Sequence, residues 1–260
     1  MTQRNRDGVA LVYEEAGSGA PPIVLVHPWG GDHAYMAPQF DYFRRDHRVV
    51  SVGLRGHGRS DKPEQDYTMG LFAEDLVWLC RELRIEKPVV VGHSMGGMIA
   101  LELAARVPEL PSAVVLLDSP VVTPPGLMDG FRPFAEALPG PGYREATRQF
   151  YSYVAGFDDR TDRKQRIIEE MASNVQHVMV STMQAVLAHD TDAAAAACKV
   201  PVLYVSSGTW YTDVARFHKL CPHLITGQTV GSGHFHQLEV PEQVNPMIER
   251  FLTIAVKAVG

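Results

Sequence analysis

Short apolar runs rich in branched residues recur along the chain and alternate with segments of helical spacing. This alternation limits the possible folds more than any other feature. The predicted strands are 9–15 as the opening strand, 22–27, 48–53, 88–93 and 112–118, and the helical segments are 68–83 and 95–107. Parallel strands buried on both faces have continuous apolar sequences, and helices usually connect them. The chain is therefore predicted to be an α/β protein with a mostly parallel sheet that helices cover on both faces.

The alternation stops after residue 118. The next segment, 119–198, has no clear buried strand but several amphipathic helical stretches. Strands then return at 200–207 and 223–230, and a final helix follows near 240–257. A length of 260 residues fits one α/β domain with an insertion. We therefore predict one core domain, formed by 1–118 and 199–260, and a helical cap formed by 119–198.

The strand at 88–93 leads directly into Gly92-His93-Ser94-Met95-Gly96, and a helix follows. A G-x-S-x-G sequence between a strand and a helix is typical of a nucleophile elbow, in which a strained turn exposes the serine hydroxyl. The two glycines fit because backbone segments come close at such a turn. The helix start also directs backbone N–H groups toward developing negative charge. A plain glycine turn is the other interpretation, but the flanking strand and helix favour Ser94 as a nucleophile.

A serine nucleophile needs a base and an oxyanion site. The candidate base is His234, in a loop between the last predicted strand and the final helix. Five other histidines compete, and strand ends or turns suit them better: His27, His33, His57, His93 and His236. The stretch 27–33, HPWGGDH, follows an early strand. The backbone N–H groups of Trp29 and Met95 are therefore the predicted oxyanion donors.

Four short motifs occur in a characteristic order: HPW at 27–29, RGHGRS at 55–60, GHSMGG at 92–97 and GHF at 233–235. Their order and spacing resemble the α/β-hydrolase superfamily across essentially the whole predicted sheet domain. The resemblance implies the α/β-hydrolase fold with an inserted cap and a triad of serine, histidine and an acid. The motifs are specific for the fold and much less so for the reaction.

The acid is the one member that departs from the common family pattern. In many of these hydrolases it follows the strand after the cap, but here Thr209, Trp210 and Tyr211 occupy that stretch. Asp213 comes later and suits the N-cap of a helix. The superfamily also uses the end of the preceding strand, where Asp118 stands. Because parallel strands place their sites at one rim of the sheet, we predict Asp118 as the acid and keep Asp213 as the alternative.

Composition and charge exclude several other classes. The formal net charge is −6 and no long basic patch occurs, so no nucleic-acid partner is expected. The start lacks the apolar region of a signal peptide, and no run of about 18 apolar residues occurs, so a cytoplasmic protein without a membrane partner is expected. The three cysteines have no metal-type spacing. No Cys or acidic cluster accompanies the pair His234 and His236, so no metal is expected. No phosphate-binding glycine loop occurs, so no organic cofactor is expected either.

These residues predict a serine hydrolase that cleaves a carboxylic ester or lactone of a small apolar substrate through an acyl-enzyme. The predicted substrate-binding residues are Trp29, His93, Phe131, Phe150, Tyr151 and Met179. A carbon–carbon bond hydrolase that uses the same triad stays open. So does a cofactor-free dioxygenase that opens quinolone rings with a His–Asp base, because Asp118 and the sequence from Trp29 to His33 resemble that class. A ligand-binding receptor on the same scaffold is the third possibility.

Overall fold

The computed structural model describes residues 1–156, 160–208 and 211–255. One sheet of eight strands runs through this part of the chain, in the order β1-β2-β4-β3-β5-β6-β7-β8. The strands are β1 Thr2–Arg6, β2 Val9–Ala16, β3 Ile23–Val26, β4 Val49–Val52, β5 Val89–His93, β6 Ala113–Leu117, β7 Val202–Ser206 and β8 Leu224–Gln228. Strands β3 to β8 are mutually parallel, and β1 and β2 form the antiparallel end. The prediction of a mostly parallel α/β sheet is confirmed.

Helices lie on both faces of the sheet. They are α1 Ala37–Phe43, α2 Met69–Glu82, α3 Met95–Arg106, α4 Arg132–Ala137, α5 Tyr143–Val154, α6 Thr161–Ala172, α7 Gln176–Ala188, α8 Thr191–Ala197, α9 Val214–Leu220, α10 His236–Glu239 and α11 Pro241–Ala255. Alternate strand residues face opposite layers. Ile23 and Leu25 pack with α1 and α11, whereas Val24 and Val26 pack with α2 and α3. Burial on both faces explains the continuous apolar strand sequences.

The insertion between β6 and β7 contains helices α4 to α8, as the predicted cap requires. Helix α8 packs against α3, so the last helix of the predicted cap range joins the helical layer of the core. The division of the chain into core and cap stays a prediction. Within the described ranges, no helix is both long enough and apolar enough to span a bilayer.

The predicted opening strand is not the first one. Strand β1 precedes it and pairs with it in an antiparallel hairpin. Asp7 and Gly8 form the turn, with φ of 52° and 86°, the left-handed conformations that two-residue hairpins favour. The sequence of β1, TQRNR, is polar and mostly exposed, so it gives no hydrophobic signal.

Candidate active site

Ser94 lies between β5 and α3, in the turn that the sequence predicted. Its backbone has φ 54° and ψ −119°, which is a strained conformation for a residue other than glycine. A Cβ atom on Gly92 would collide with the backbone carbonyl of Gly96, and one on Gly96 would collide with the carbonyl of Val26. The two glycines therefore allow the close approach of β3, β5 and α3, and the turn leaves Ser94 partly exposed.

Asp118 follows β6 directly and is fully buried. Its Oδ2 accepts hydrogen bonds from His234 Nδ1 at 2.8 Å and from the Ser207 hydroxyl at 2.9 Å. Its Oδ1 accepts one from the backbone N–H of Ser207 at 2.9 Å. Asp213, the alternative acid, instead caps α9, where its carboxylate accepts a hydrogen bond from the backbone N–H of Arg216. The structure thus joins Asp118, rather than Asp213, to His234.

The electrostatics of this pair determine the histidine tautomer. Burial alone would raise the pKa of the Asp118 carboxyl, but the hydrogen bond from His234, the nearby histidines and the Ser207 amide outweigh it, so the pKa lies below its ordinary value. The carboxylate is therefore ionised and can only accept hydrogen bonds. Nδ1 of His234 must carry a hydrogen, and Nε2 of a neutral ring keeps its lone pair for a proton.

Ser94 and His234 both line a narrow cavity beneath the cap, with about 560 Å³ of space including its open mouth. The other lining residues are Pro28, Trp29, Met95, Met98, Pro120, Phe131, Phe150, Tyr151, Val154, Met183, Val186 and Tyr211. Within the described part of the chain, no Lys, Arg, Asp or Glu lines this cavity. The arrangement can hold a small apolar molecule against one hydroxyl and one imidazole.

Trp29 and Met95 lie on the same cavity wall, beside Ser94. Across the ranges that the structure describes, neither of their backbone N–H groups donates a hydrogen bond to the protein. The cap holds the Trp29 segment in place. The Tyr151 hydroxyl donates to the Trp29 carbonyl at 2.6 Å, and the Trp29 indole donates to the Thr182 hydroxyl at 2.7 Å. Two free N–H groups beside a serine hydroxyl suit a developing oxyanion.

The predicted substrate-binding residues differ in their position relative to this cavity. Trp29, Phe131, Phe150 and Tyr151 line the cavity, but Met179 and His93 do not. Met179 is buried beneath the oxyanion loop, where its methyl group would lie 3.3 Å from a Cβ atom on Gly30. His93 is fully buried, because it ends β5 on the side away from the cavity and bonds the loop that carries His234.

Three other histidines have structural partners. His27 Nε2 accepts a hydrogen bond from the Leu54 N–H, His57 bonds the Arg55 carbonyl, and His236 bonds Thr229. Burial lowers the pKa of His27 and of His236 to about 4, so both rings are neutral near pH 7.

Sequence reasoning missed several residues of the site. Ser207 supplies two hydrogen bonds to Asp118, and Tyr211 lies edge-on to the His234 ring with centroids 5.3 Å apart. Ser207 follows β7, the neighbour of β6, so the rule that parallel strand ends share one rim could have indicated it. The prediction that Thr209 and Trp210 occupy the usual position of the acid concerns residues outside the described ranges.

Comparison with known proteins agrees with this architecture. The family model described as alpha/beta hydrolase fold matches residues 21–241. The chain is 26% identical to 3-oxoadipate enol-lactonase 1 of Acinetobacter baylyi over 257 residues, which cover 95% of each protein. It is 35% identical to an uncharacterized protein of Mycobacterium tuberculosis over 127 residues, 46% of this chain and 35% of that protein's length.

Two solved structures are similar over nearly the whole chain. Est816, described as an N-acyl homoserine lactone degrading enzyme, has a TM-score of 0.83 and 28% identity, and the match covers 96% of this chain and all of that one. The enol-lactonase from Burkholderia xenovorans has a TM-score of 0.84 and 23% identity, covering 97% of this chain and all of that one. At 23% identity, the similarity to the enol-lactonase from Burkholderia xenovorans shows only a shared fold.

Proposed function

Since the chain belongs to the α/β-hydrolase fold family, we propose that it is a serine hydrolase that cleaves carboxylic esters or lactones of small, apolar, uncharged substrates. Relatives named as lactonases support ester or lactone hydrolysis in general. The observation that carries the proposal is the hydrogen-bonded pair of Asp118 and His234, with His234 and Ser94 on the wall of one apolar cavity.

In the proposed reaction, His234 Nε2 takes the proton of the Ser94 hydroxyl as its oxygen attacks the substrate carbonyl. The backbone N–H groups of Trp29 and Met95 hold the resulting oxyanion. His234 then protonates the leaving oxygen, and water releases the acyl group from Ser94. Asp118 keeps the hydrogen on Nδ1 and stabilises the imidazolium through its buried charge.

The cavity wall supports an uncharged substrate. Its polar groups are few, and an ionised carboxylate placed there would lose its hydration without gaining a cationic partner from the described wall residues. The aromatic and methionine side chains suit flat or flexible apolar groups, such as an aryl or short acyl chain. We propose no nucleic-acid, metal or cofactor partner for this chemistry. The cytoplasmic location stays a prediction.

The test is turnover of p-nitrophenyl esters, uncharged lactones and 3-hydroxy-4-quinolones, each followed in air and under argon with oxygen uptake recorded. The proposal predicts ester or lactone hydrolysis at equal rates in both gases, with one acid released per substrate. Oxygen uptake matched to loss of a quinolone would replace the proposal with the dioxygenase alternative.

A second panel tests the charge of the substrate. Two esters of the same alcohol are compared, one with a butanoyl group and one with the hemisuccinyl group, which adds a terminal carboxylate. We expect kcat/KM to be at least about tenfold lower for the charged ester, because burying an unpaired carboxylate is unfavourable. Equal values would contradict the proposed preference for uncharged substrates.

A further inference from the structure

His93 stands beside Ser94 in the chain but faces the loop of the base. Its Nε2 lies 2.8 Å from the backbone carbonyl oxygen of His234. The rings of His93 and His234 lie with centroids 4.7 Å apart at 45°. One buried side chain therefore connects the strand that ends at the nucleophile with the backbone of the residue proposed as the base.

The hydrogen-bond partners of His93 determine its tautomer. The side-chain amide of Gln237 donates to His93 Nδ1 at 3.1 Å, so Nδ1 is an acceptor and Nε2 carries the hydrogen. Burial lowers the pKa of His93 well below its ordinary value, so the ring is neutral. A neutral ring places no positive charge against the imidazolium that His234 is proposed to form.

Gln237 is itself held in place. Its amide also lies 3.4 Å from the carbonyl of Tyr35, and its backbone carbonyl accepts a hydrogen bond from Gln39 at 3.0 Å. Both Gln237 and His93 are fully buried. The connection from His234 through His93 to Gln237 is thus fully buried, and removing one of its partners would leave a buried hydrogen-bonding group unpaired, which is unfavourable.

We infer that His93 is a positioning residue, which holds the loop of His234 at the distance from Ser94 that proton transfer requires. The inference rests on the proposed function, because it assigns His93 a role only if Ser94 and His234 react. Neither residue of the pair His93 and Gln237 lines the cavity. Their loss should therefore reduce kcat and leave KM nearly unchanged.

The test compares His93→Leu, which removes the donor, with His93→Gln, whose amide can reach the His234 carbonyl. A displacement of about 1 Å at a reacting group can lower a rate by about 10². We expect His93→Leu to lower kcat by about 10- to 100-fold with KM within about threefold, and His93→Gln to stay within about fivefold of the wild type. His57→Leu is the matched control, because it replaces another fully buried histidine whose Nδ1 bonds a backbone carbonyl.

A double-mutant cycle with Gln237→Leu separates a connected role from general destabilisation. Because Gln237 acts through His93, we expect it to lower kcat in the wild-type background but to add less than about twofold in the His93→Leu background. Circular dichroism and melting temperature establish that each variant is folded. If His93→Leu fails to fold, kcat is compared among His93→Gln, Gln237→Leu and the wild type. A lower kcat in folded Gln237→Leu with nearly normal kcat in His93→Gln supports the positioning role, and a normal kcat in Gln237→Leu overturns it.

The outcomes distinguish this inference from the proposed function. Ser94→Ala and His234→Ala serve as references, and full activity in both would overturn the proposed function itself. If both are inactive while a folded His93→Leu keeps kcat within twofold of the wild type, only the positioning role is overturned. Equal losses in His93→Leu and His93→Gln, or equal losses in His93→Leu and His57→Leu, would overturn it as well.

Discussion

Replacing Asp118 by asparagine tests the acid of the proposed triad, and the contacts of its carboxylate give the size of the effect. The two oxygens accept hydrogen bonds from His234 Nδ1, the Ser207 hydroxyl and the Ser207 backbone N–H in a fully buried site. An asparagine amide must put its NH₂ group at one of these positions. At Oδ2 it would face the donors of His234 and Ser207, and at Oδ1 it would face the Ser207 backbone N–H. The placement at Oδ1 leaves the Ser207 backbone N–H without an acceptor, which costs about 1–3 kcal/mol of stability. The placement at Oδ2 removes the acceptor that holds the hydrogen on His234 Nδ1.

The effect on rate is larger because the charge is also lost. The carboxylate stabilises the imidazolium of His234 and holds the hydrogen on Nδ1, and the same replacement lowers kcat by about 10⁴ in the serine-protease template. We expect Asp118→Asn to lower kcat by about 10²–10⁴, which corresponds to about 2.7–5.4 kcal/mol of transition-state stabilisation.

Asp213→Asn is the matched control for this substitution. Asp213 caps α9 through the backbone N–H of Arg216, and asparagine is itself a favoured N-cap. We expect kcat to change by less than about tenfold, with any effect mainly on melting temperature. Steady-state kinetics on an active ester, with circular dichroism on both variants, provides the measurement. A normal kcat in folded Asp118→Asn together with a strongly reduced kcat in Asp213→Asn would refute the assignment of Asp118 as the acid.

Three further predictions concern the glycine of the nucleophile elbow, the stability of the protein at acidic pH, and the effect of removing metals. Gly96→Ala should sharply lower the melting temperature or the yield of folded protein, because its Cβ would meet the Val26 carbonyl, whereas Gly142→Ala, which meets nothing within 4 Å, should be nearly neutral. The pKa of Asp118 is lowered on folding, so its stabilisation is present above its unfolded pKa of about 3.9 and is lost as the pH falls through its folded pKa. The stability difference between wild type and Asp118→Asn should therefore shrink as the pH falls below about 4 in urea titrations; an unchanged difference at pH 3 would contradict this. Dialysis against EDTA should leave ester hydrolysis unchanged, and loss of activity that zinc restores would contradict the expectation of a metal-free site.

The strands of the core were predictable because burial on both faces gives each one a continuous run of branched residues. The prediction of 88–93 and the observed Val89–His93 differ by one residue, and 112–118 and Ala113–Leu117 differ by one residue at each end. Strand β1 was not predicted because it is a polar edge strand, whose formation depends on pairing with β2 and not on a hydrophobic pattern. Its turn residues, Asp7 and Gly8, were the available signal.

The parts of the site that depend on tertiary contacts were less predictable. Asp118 could be proposed because the resembling superfamily also places its acid at the end of this strand and because parallel strand ends meet at one rim. By contrast, the contact between His93 and the His234 carbonyl joins residues 141 positions apart, and no local pattern reports it. Met179 looked like a cavity residue because methionines suit apolar sites, but its helix turns it under the oxyanion loop instead.

Ser94 is the proposed nucleophile, and covalent labelling identifies the residue that reacts. The protein is incubated with a serine-directed fluorophosphonate, and the modified peptide is identified by mass spectrometry while residual ester hydrolysis is measured. We expect one adduct per chain, located at Ser94, with activity falling in proportion to labelling. Full activity after stoichiometric modification of Ser94, or inactivation accompanied by an adduct at another residue, would contradict it.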